Sequence, residues 1–458
     1  MVVQDQRFHI EQSTAEPIPA EARHGTPREL FTFWLTTATN FGAIVVGALA
    51  VDLGLGFWQS VVCIALGAVS FVLLGAVSSL GPRFGLPTMG IGERVFGREA
   101  NKVNAFIAWL LTLGWSSVGL VIGAESVESI VAYYAPSASA DVAKVAGLVV
   151  MAILMYFASL FGNATLKSIE SWLGYVFAVI VVAVCIALGV HGSFAHLSLG
   201  HNGSLADFAV AAMVMISSGG LSWCYMGAEY SRYLPASVSR SAVGWSTTLG
   251  GAIPALLLPI LGVVLTLSGH FSDPIADIPK VLTAWIGVPF LVFAVVSTAA
   301  GYVPNLYSAG LNLLVLGVPV RRSVSIAIAF CISLAGALYA LFVSNFVSTF
   351  ETFLSLSVVW VVPWVTILLV SLLSRGRTDE PDSVRGARWE ACVAGLAGMV
   401  VAFLCNNDAP LWTGPVARAL GGGDISIYAS AFVTLAVFAV LRARRRQPAA
   451  SEPADVAV

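Results

Sequence analysis

The chain has 458 residues, of which 58% are hydrophobic and only 10% are charged, whereas a soluble domain carries about 25% charged residues. Its formal net charge of -2 is uninformative about partners, and no nucleic-acid patch is implied. Composition therefore argues against an ordinary soluble domain and favours a chain embedded in lipid.

Twelve windows of seventeen residues or more lack Asp, Glu, Lys, Arg and His. Backbone amides cannot be left unpaired in hydrocarbon, so each window predicts a membrane-crossing helix. In chain order, spans one to twelve correspond to 30–51, 53–82, 103–124, 145–166, 171–190, 208–228, 241–269, 281–320, 323–350, 352–374, 391–407 and 425–441.

The window 281–320 is long enough for one span or two, and the basic residues decide between them. One span places 20 of the 23 basic residues on the cytoplasmic side, whereas two spans would move ten arginines outward, from Arg321 onward. The positive-inside rule favours one span. We therefore predict an all-α protein of twelve transmembrane helices in the cell membrane, with both termini cytoplasmic.

Three segments follow from this pattern. Residues 1–29 are polar, lack a signal-peptide apolar region and are expected to form a flexible cytoplasmic tail. Residues 30–442 are expected to form a single twelve-helix membrane domain, and residues 443–458 a second cytoplasmic tail. The six cysteines lie in apolar windows without CxxC spacing, and no HExxH, P-loop or GxSxG motif occurs. We expect no enzyme activity, no metal site and no cofactor.

Spans one and six carry matched clusters of small and polar residues near mid-membrane. Span one reads Thr36-Thr37-Ala38-Thr39-Asn40-Phe41-Gly42-Ala43, and span six reads Ser217-Ser218-Gly219-Gly220-Leu221-Ser222-Trp223. Matched Gly-interrupted helices are typical of a broken-helix binding site between inverted repeats. Close helix packing through small residues is the alternative.

Two tryptophans lie deep in the membrane, away from the interfaces where they are enriched. Trp115 follows Lys102 by thirteen residues, about 20 Å along the helix axis, and Trp223 follows the span-six cluster. Two such rings can sandwich a flat heterocycle, or they can simply fill the core. Asn305, directly after Pro304, offers a donor and an acceptor for a nucleobase edge, or it repairs a proline kink.

Several ordered blocks resemble the nucleobase cation symporter-1 family, the purine and cytosine permeases, from about Phe31 to Leu441. They are Phe33-Trp34-Leu35, Gly54-Leu55-Gly56-Phe57-Trp58, Leu80 to Pro87, Arg94-Val95-Phe96-Gly97, Leu113 to Val118, Trp223 to Tyr230 and Pro304 to Ser308.

The resemblance implies a five-plus-five inverted repeat of the leucine-transporter type with two added C-terminal helices. It also implies alternating access, Trp115 and Trp223 as a stacking pair, Asn305 as the span-eight amide, and broken-helix backbone at Asn40 to Ala43 and Gly219 to Ser222. Where relatives often carry Gln, Asn and Asn, this chain has Thr112, Gly119 and Gly301. Fewer side chains should therefore hydrogen-bond to the solute.

The expected function is symport of a small planar heterocycle, such as cytosine, a purine or a related nucleobase or cyclic amide. Membrane lipid is the other partner, and no obligate protein partner is evident. An amino-acid or vitamin carrier of the same fold and a non-transporting membrane sensor remain as alternatives. Uptake into proteoliposomes separates the sensor from the carriers.

The sequence favours H⁺ only slightly over Na⁺ as the coupling ion. Sodium-coupled relatives of the fold add two span-eight hydroxyls to carbonyls freed near Ala43, and the matching positions here are Ala300 and Gly301. Ser297 and Thr298 lie three residues earlier, about 4.5 Å along the helix, so that a register shift would supply them. For protons, Glu125 is the favoured carrier among Glu125, Glu128 and Glu229.

Overall fold

The computed structural model describes residues 15–161, 163–190, 199, 202–268, 284–373, 386–408 and 411–446. Lys280, which the charge pattern places outside the membrane, lies beyond these ranges. The described ranges are almost entirely helical, as the apolar windows predict.

The helices are numbered here in chain order. They are α1 Pro27–Ala38, α2 Phe41–Asp52, α3 Phe57–Val69, α4 Phe71–Ser78, α5 Gly81–Phe84, α6 Thr88–Phe96, α7 Arg98–Tyr134, α8 Ala140–Leu160, α9 Asn163–Val190, α10 Leu205–Ser218, α11 Arg240–Leu267, α12 Ala284–Val315, α13 Arg322–Phe342, α14 Phe346–Leu373, α15 Trp389–Cys405, α16 Pro415–Ala419 and α17 Ser426–Arg446. A 3₁₀ helix, Gly220–Met226, follows α10, and another occupies Ala20–Ala22. Strands β1 Asn407–Asp408 and β2 Trp412–Thr413 form one antiparallel pair.

Among the described residues, nine helices are long and apolar enough to cross a membrane, and the bent pair α1 and α2 makes a tenth span. Two shorter apolar helices, Trp172–Ala187 and Trp389–Cys405, coincide with the predicted spans five and eleven. The helices therefore fall in order on all twelve windows, consistent with the predicted count. The disputed window contains the single helix α12 of 32 residues.

The boundary between spans nine and ten differs from the windows. Span nine was expected to reach residue 350, but α13 ends at Phe342 and α14 already begins at Phe346. Asn345 starts the new helix because its side-chain Oδ1 accepts a hydrogen bond from Ser348 N at 3.1 Å. A charge-free window does not reveal such a turn, since Asn and Ser do not interrupt it.

Both predicted helix breaks are present. α1 and α2 meet at a bend of 55°, because Thr39 and Asn40 leave the helical conformation, with Asn40 extended at φ -128° and ψ 158°. α10 stops at Gly219, at φ -78° and ψ -143°, before the chain continues as a 3₁₀ helix. The first break lies within the span-one cluster, at Thr39 and Asn40. It shares only Asn40 with the stretch Asn40 to Ala43 that the resemblance implies, since Phe41 to Ala43 are already helical.

Small residues let the broken helices approach their neighbours. A Cβ on Gly219 would lie 2.6 Å from the Gly67 carbonyl oxygen of α3, and one on Gly250 of α11 would lie 2.6 Å from the Phe31 carbonyl oxygen of α1. Such separations admit glycine alone without movement of the backbone. Gly219 therefore both ends α10 and permits close packing of the helices.

The tail predicted over residues 1–29 is described from Ala15 onward, and this part contacts the helical body. Arg23 Nη1 donates to the Pro82 carbonyl at 2.9 Å, and His24 N donates to the Tyr233 carbonyl at 2.6 Å. α1 then begins at Pro27, whose ring suits the first turn of a helix. The N-terminal segment therefore joins the ends of spans two and six.

Candidate functional site

A cavity of about 70 Å³ lies where the two helix breaks meet. Its walls come from α1 and α2, the bend between α3 and α4, α7, α10 with the following 3₁₀ helix, α11 and α12. The lining residues are Ala38, Asn40, Gly42, Ala43, Val46, Ile64, Gly67, Phe71, Trp115, Met215, Ser218, Gly219, Trp223, Ala255, Pro259 and Tyr302. No charged side chain is among these described lining residues, so the cavity suits a neutral solute.

Trp115 and Trp223 both line this cavity, as the stacking hypothesis requires. Trp115 is 7% exposed and is held by edge contacts from Phe350 and Phe353, with ring centroids at 5.7 and 5.4 Å. Trp223 meets Trp34 of α1 edge-on at 5.6 Å. Each indole is therefore fixed in orientation by rings outside the cavity.

Of the other predicted residues, Asn40, Gly42, Ala43 and Gly219 also line the cavity. Asn40 Nδ2 donates to the Thr37 carbonyl at 3.0 Å, whereas no hydrogen bond from the described residues reaches its Oδ1. That oxygen is an available acceptor beside the break.

Five predicted residues lie outside the lining. Thr112 Oγ1 donates to the Trp109 carbonyl at 2.6 Å, and Ser222 Oγ donates to the Gly219 carbonyl at 2.8 Å. Gly220 packs against the Phe71 backbone. Asn305 is 2% exposed, and its Nδ2 has no hydrogen-bond partner among the described residues. The fifth residue, Gly119, packs against the ring of Tyr302.

Tyr302, one turn before Asn305, is the span-eight side chain that lines the cavity. Its ring lies 6.2 Å from Trp115, tilted by 33°. A Cβ on Gly119 would come within 2.5 Å of this ring, and one on Gly42 would come within 2.7 Å of the Tyr302 hydroxyl. The ring thus fills the space left by Gly119.

The residues proposed for ion coupling do not converge on one site. Ala43 lines the cavity, whereas Ser297 and Thr298 are fully buried in α12, with Ser297 Oγ donating to the Ala294 carbonyl at 3.3 Å. Glu125 is partly buried in α7, and Glu128 on the same helix pairs with Lys144 at 3.8 Å. Within the described ranges, no group of three or more His, Cys, Asp or Glu residues could hold a metal.

Comparisons with known proteins agree with this architecture. The chain matches the family described as "Permease for cytosine/purines, uracil, thiamine, allantoin" over residues 17–428. A putative purine-cytosine permease of Bacillus subtilis is 24% identical and covers 91% of this chain and 92% of its own length. A purine-cytosine permease of Emericella nidulans is 25% identical and covers 91% of this chain and 85% of its own length.

Two solved structures share the fold. Mhp1, a nucleobase-cation-symport-1 family transporter in a closed conformation with bromovinylhydantoin bound, has a TM-score of 0.73 at 16% identity, over 97% of this chain and 98% of that one. A Na⁺-coupled sialic acid symporter has a TM-score of 0.62 at 11% identity, over 94% and 92%. The helix order, the paired breaks and the family match lead to one conclusion. This chain is an integral membrane transporter and a member of the cytosine/purine, uracil, thiamine and allantoin permease family.

Proposed function

We propose that the protein is a secondary active symporter that imports a small planar heterocycle, such as cytosine, a purine or a related nucleobase or cyclic amide, across the cell membrane. The observation that carries the proposal is the neutral cavity at the two helix breaks, with Trp115 and Trp223 in its lining. Indoles offer flat apolar faces, and an aromatic solute gains about 0.5–1.5 kcal/mol from offset stacking beyond the burial of its area.

Hydrogen bonding in the cavity supports a heterocycle with both donors and acceptors. The Asn40 Oδ1 and the Tyr302 hydroxyl lie 3.0 and 2.7 Å from the point that a Cβ on Gly42 would occupy. The described residues give neither atom a hydrogen-bond donor. One acceptor and one hydroxyl therefore face the same small space, which matches the edge of a nucleobase or cyclic amide.

An amino-acid carrier is the second candidate, and one observation favours it. α2 begins at Phe41 without a side-chain cap, and Gly42 and Ala43 of its first turn line the cavity. The amides at a helix N-terminus suit a carboxylate, although Ala43 N already donates to the Asn40 carbonyl at 3.1 Å. The aromatic lining favours the heterocycle, because a small aliphatic amino acid would leave the indole faces uncovered.

The direction of transport and the coupling ion belong to the same proposal. Both termini are placed in the cytoplasm on the basis of the basic residues, and the bound solute is released inward as the broken spans move relative to the rest. Protons are the proposed coupling ion, since Ser297 and Thr298 of α12 do not line the cavity with Ala43.

A ligand panel tests the substrate class. Purified protein is heated with nucleobases, hydantoins, allantoin, thiamine and amino acids, because a ligand that binds only the folded state raises the melting temperature. We expect planar heterocycles to raise it and Trp115→Ala to abolish the rise. Trp245→Ala, which removes a largely exposed indole of α11, is the control and should respond like the unmodified chain. A rise with amino acids alone would replace the heterocycle with the second candidate.

A further inference from the structure

One buried acid lies beside the first helix break and was not among the predicted carriers. Glu170 is 2% exposed and belongs to α9, two turns after this helix begins at Asn163. From the sequence it falls between apolar windows and would be assigned to a loop. The helix instead carries its side chain into the protein.

Only one of the two carboxyl oxygens of Glu170 has a hydrogen-bond partner among the described residues. Its Oε2 accepts a hydrogen bond from Thr37 Oγ1 at 2.9 Å, whereas its Oε1 is buried without a hydrogen-bond partner among the described residues. The neighbouring Thr36 Oγ1 donates to the Glu170 backbone carbonyl at 2.8 Å. That backbone contact would hold α1 to α9 with any residue at this position, so the acid itself needs another explanation.

The partner of the carboxyl group lies at the hinge. Thr37 is two residues before the break at Thr39 and Asn40, where the chain bends by 55°. Its hydroxyl contacts Glu170, and its carbonyl accepts the hydrogen bond from Asn40 Nδ2 at 3.0 Å. One residue therefore connects the acid to the amide that lines the solute cavity.

The same geometry offers few oxygen ligands to a metal cation. A Cβ on Gly301 would lie 2.9 Å from the Thr37 carbonyl oxygen and 3.1 Å from Asn40 Nδ2. Gly301, the α12 residue next to the Thr37 carbonyl, thus carries no hydroxyl, and this carbonyl already receives an amide hydrogen. A hard cation such as Na⁺ needs several free oxygens.

The charged and titratable groups on the elements packed around Glu170 have other contacts. The Tyr230 hydroxyl donates to the Pro304 carbonyl at 3.4 Å. Glu229 accepts from Thr88 N at 2.9 Å, and the Arg322 guanidinium lies over the Tyr307 ring at 4.7 Å. No basic side chain of the described residues forms an ion pair with Glu170. A buried carboxylate without a cationic partner is strongly unfavourable, so a bound proton stabilises this arrangement.

We infer that Glu170 is the proton-binding site of the transporter and that its hydrogen bond to Thr37 links proton occupancy to the hinge of the first span. The proton comes from water on the acidic side and binds the carboxylate. It returns to water on the other side when movement of α1 away from α9 hydrates the acid, and no other bond is made or broken. This inference rests on the proposed function.

Proteoliposomes that contain an entrapped pH dye provide the test. Cytosine, uracil, allantoin and thiamine are supplied in turn, first for exchange between internal and external solute without any ion gradient, then for accumulation driven by an inward proton gradient without sodium. Glu170→Gln should retain exchange but lose both accumulation and solute-dependent acidification of the lumen. The matched control is Glu128→Gln, in which the acid that pairs with Lys144 is neutralised and coupling should persist.

The outcomes separate the two proposals. If the unmodified protein exchanges none of these solutes, the proposed function fails for them. If exchange is present and Glu170→Gln still accumulates solute on a proton gradient, Glu170 is not the coupling site, and accumulation driven by sodium alone would overturn proton coupling itself. Should Glu170→Gln fail to fold, Glu170→Asp must shift the pH dependence of uptake, and an unchanged profile overturns the inference.

Discussion

Gly42 lies next to the two polar atoms proposed to recognise the edge of the solute. The Tyr302 hydroxyl and Asn40 Oδ1 lie 2.7 and 3.0 Å from the position that its Cβ would take. Shape and hydrogen bonding at the site therefore depend on three adjacent groups from spans one and eight, while the indoles contribute the flat faces. Each contribution can be removed by itself.

Tyr302→Phe removes only the hydroxyl. We expect binding of the best heterocycle from the panel to weaken by about 0.5–1.5 kcal/mol, the net value of one hydrogen bond, with the melting temperature of the unliganded protein little changed. Isothermal titration measures the affinity. An unaltered affinity would show that the hydroxyl does not contact the solute.

Replacing either indole tests the stacking pair. Trp115→Ala and Trp223→Ala should each weaken binding by about 1–3 kcal/mol, by analogy with bases stacked on aromatic side chains, and Phe at either position should retain much of the affinity. If folded alanine variants bind normally, both tryptophans are core residues.

The two indoles could be predicted from the sequence because distance along a helix axis follows from the residue count. The face of span eight that lines the cavity could not be predicted in this way. α12 is 83% buried along its most apolar window, so nearly every side of it is packed and periodicity does not identify the face toward the cavity. Amide chemistry and the family resemblance point to Asn305, whereas Tyr302 is the span-eight side chain that lines the cavity.

The helix breaks are the elements that bring the site together. The second break packs directly on the bend between α3 and α4, where a Cβ on Gly220 would lie 2.3 Å from the Phe71 backbone nitrogen. Backbone cannot yield there without moving one of the two helices. Glycine at this position thus fixes the path of span six past the cavity.

Gly220→Ala should destabilise the protein by about 1–3 kcal/mol, the usual effect of overpacking, and should lower its melting temperature. Gly395→Ala on α15 is the control, since its Cβ would meet only the Ile367 side chain at an ordinary 3.6 Å. Equal melting temperatures for the two variants would mean that span six adjusts freely.

Charge-free windows do not locate the ends of helices, and Glu170 is an example. The windows predicted a loop between spans four and five, since Lys167 and Glu170 interrupt the apolar sequence. The structure continues α9 through both positions. A helix can bury one polar face beside apolar ones, so hydropathy locates spans better than it locates their ends.

Over the whole molecule, the order of the helices agrees with the twelve windows, because the membrane imposes one length on every span. Sidedness rests on a different signal, the distribution of Lys and Arg. Lys102, at the start of α7, is predicted to be cytoplasmic, and Arg418, in the short helix α16 between α15 and α17, is predicted to be outside.

Single cysteines at these two positions test the topology in sealed cells. An impermeant thiol reagent should label Arg418→Cys readily and Lys102→Cys only after the cells are opened, with the unmodified chain showing the background from its own exposed Cys331. Labelling of Lys102→Cys in sealed cells would show that the orientation in the membrane is opposite to the predicted one.

The central claim is that the cavity between Trp115 and Trp223 carries a planar heterocycle across the membrane, and solute exchange in proteoliposomes tests it most directly. Vesicles loaded in turn with unlabelled cytosine, uracil, allantoin or thiamine should take up the same labelled solute rapidly, and vesicles with Trp115→Ala should not. Exchange by the Trp115→Ala protein at the rate of the unmodified chain, or no exchange of any of these solutes by a folded unmodified protein that binds them, would contradict the account.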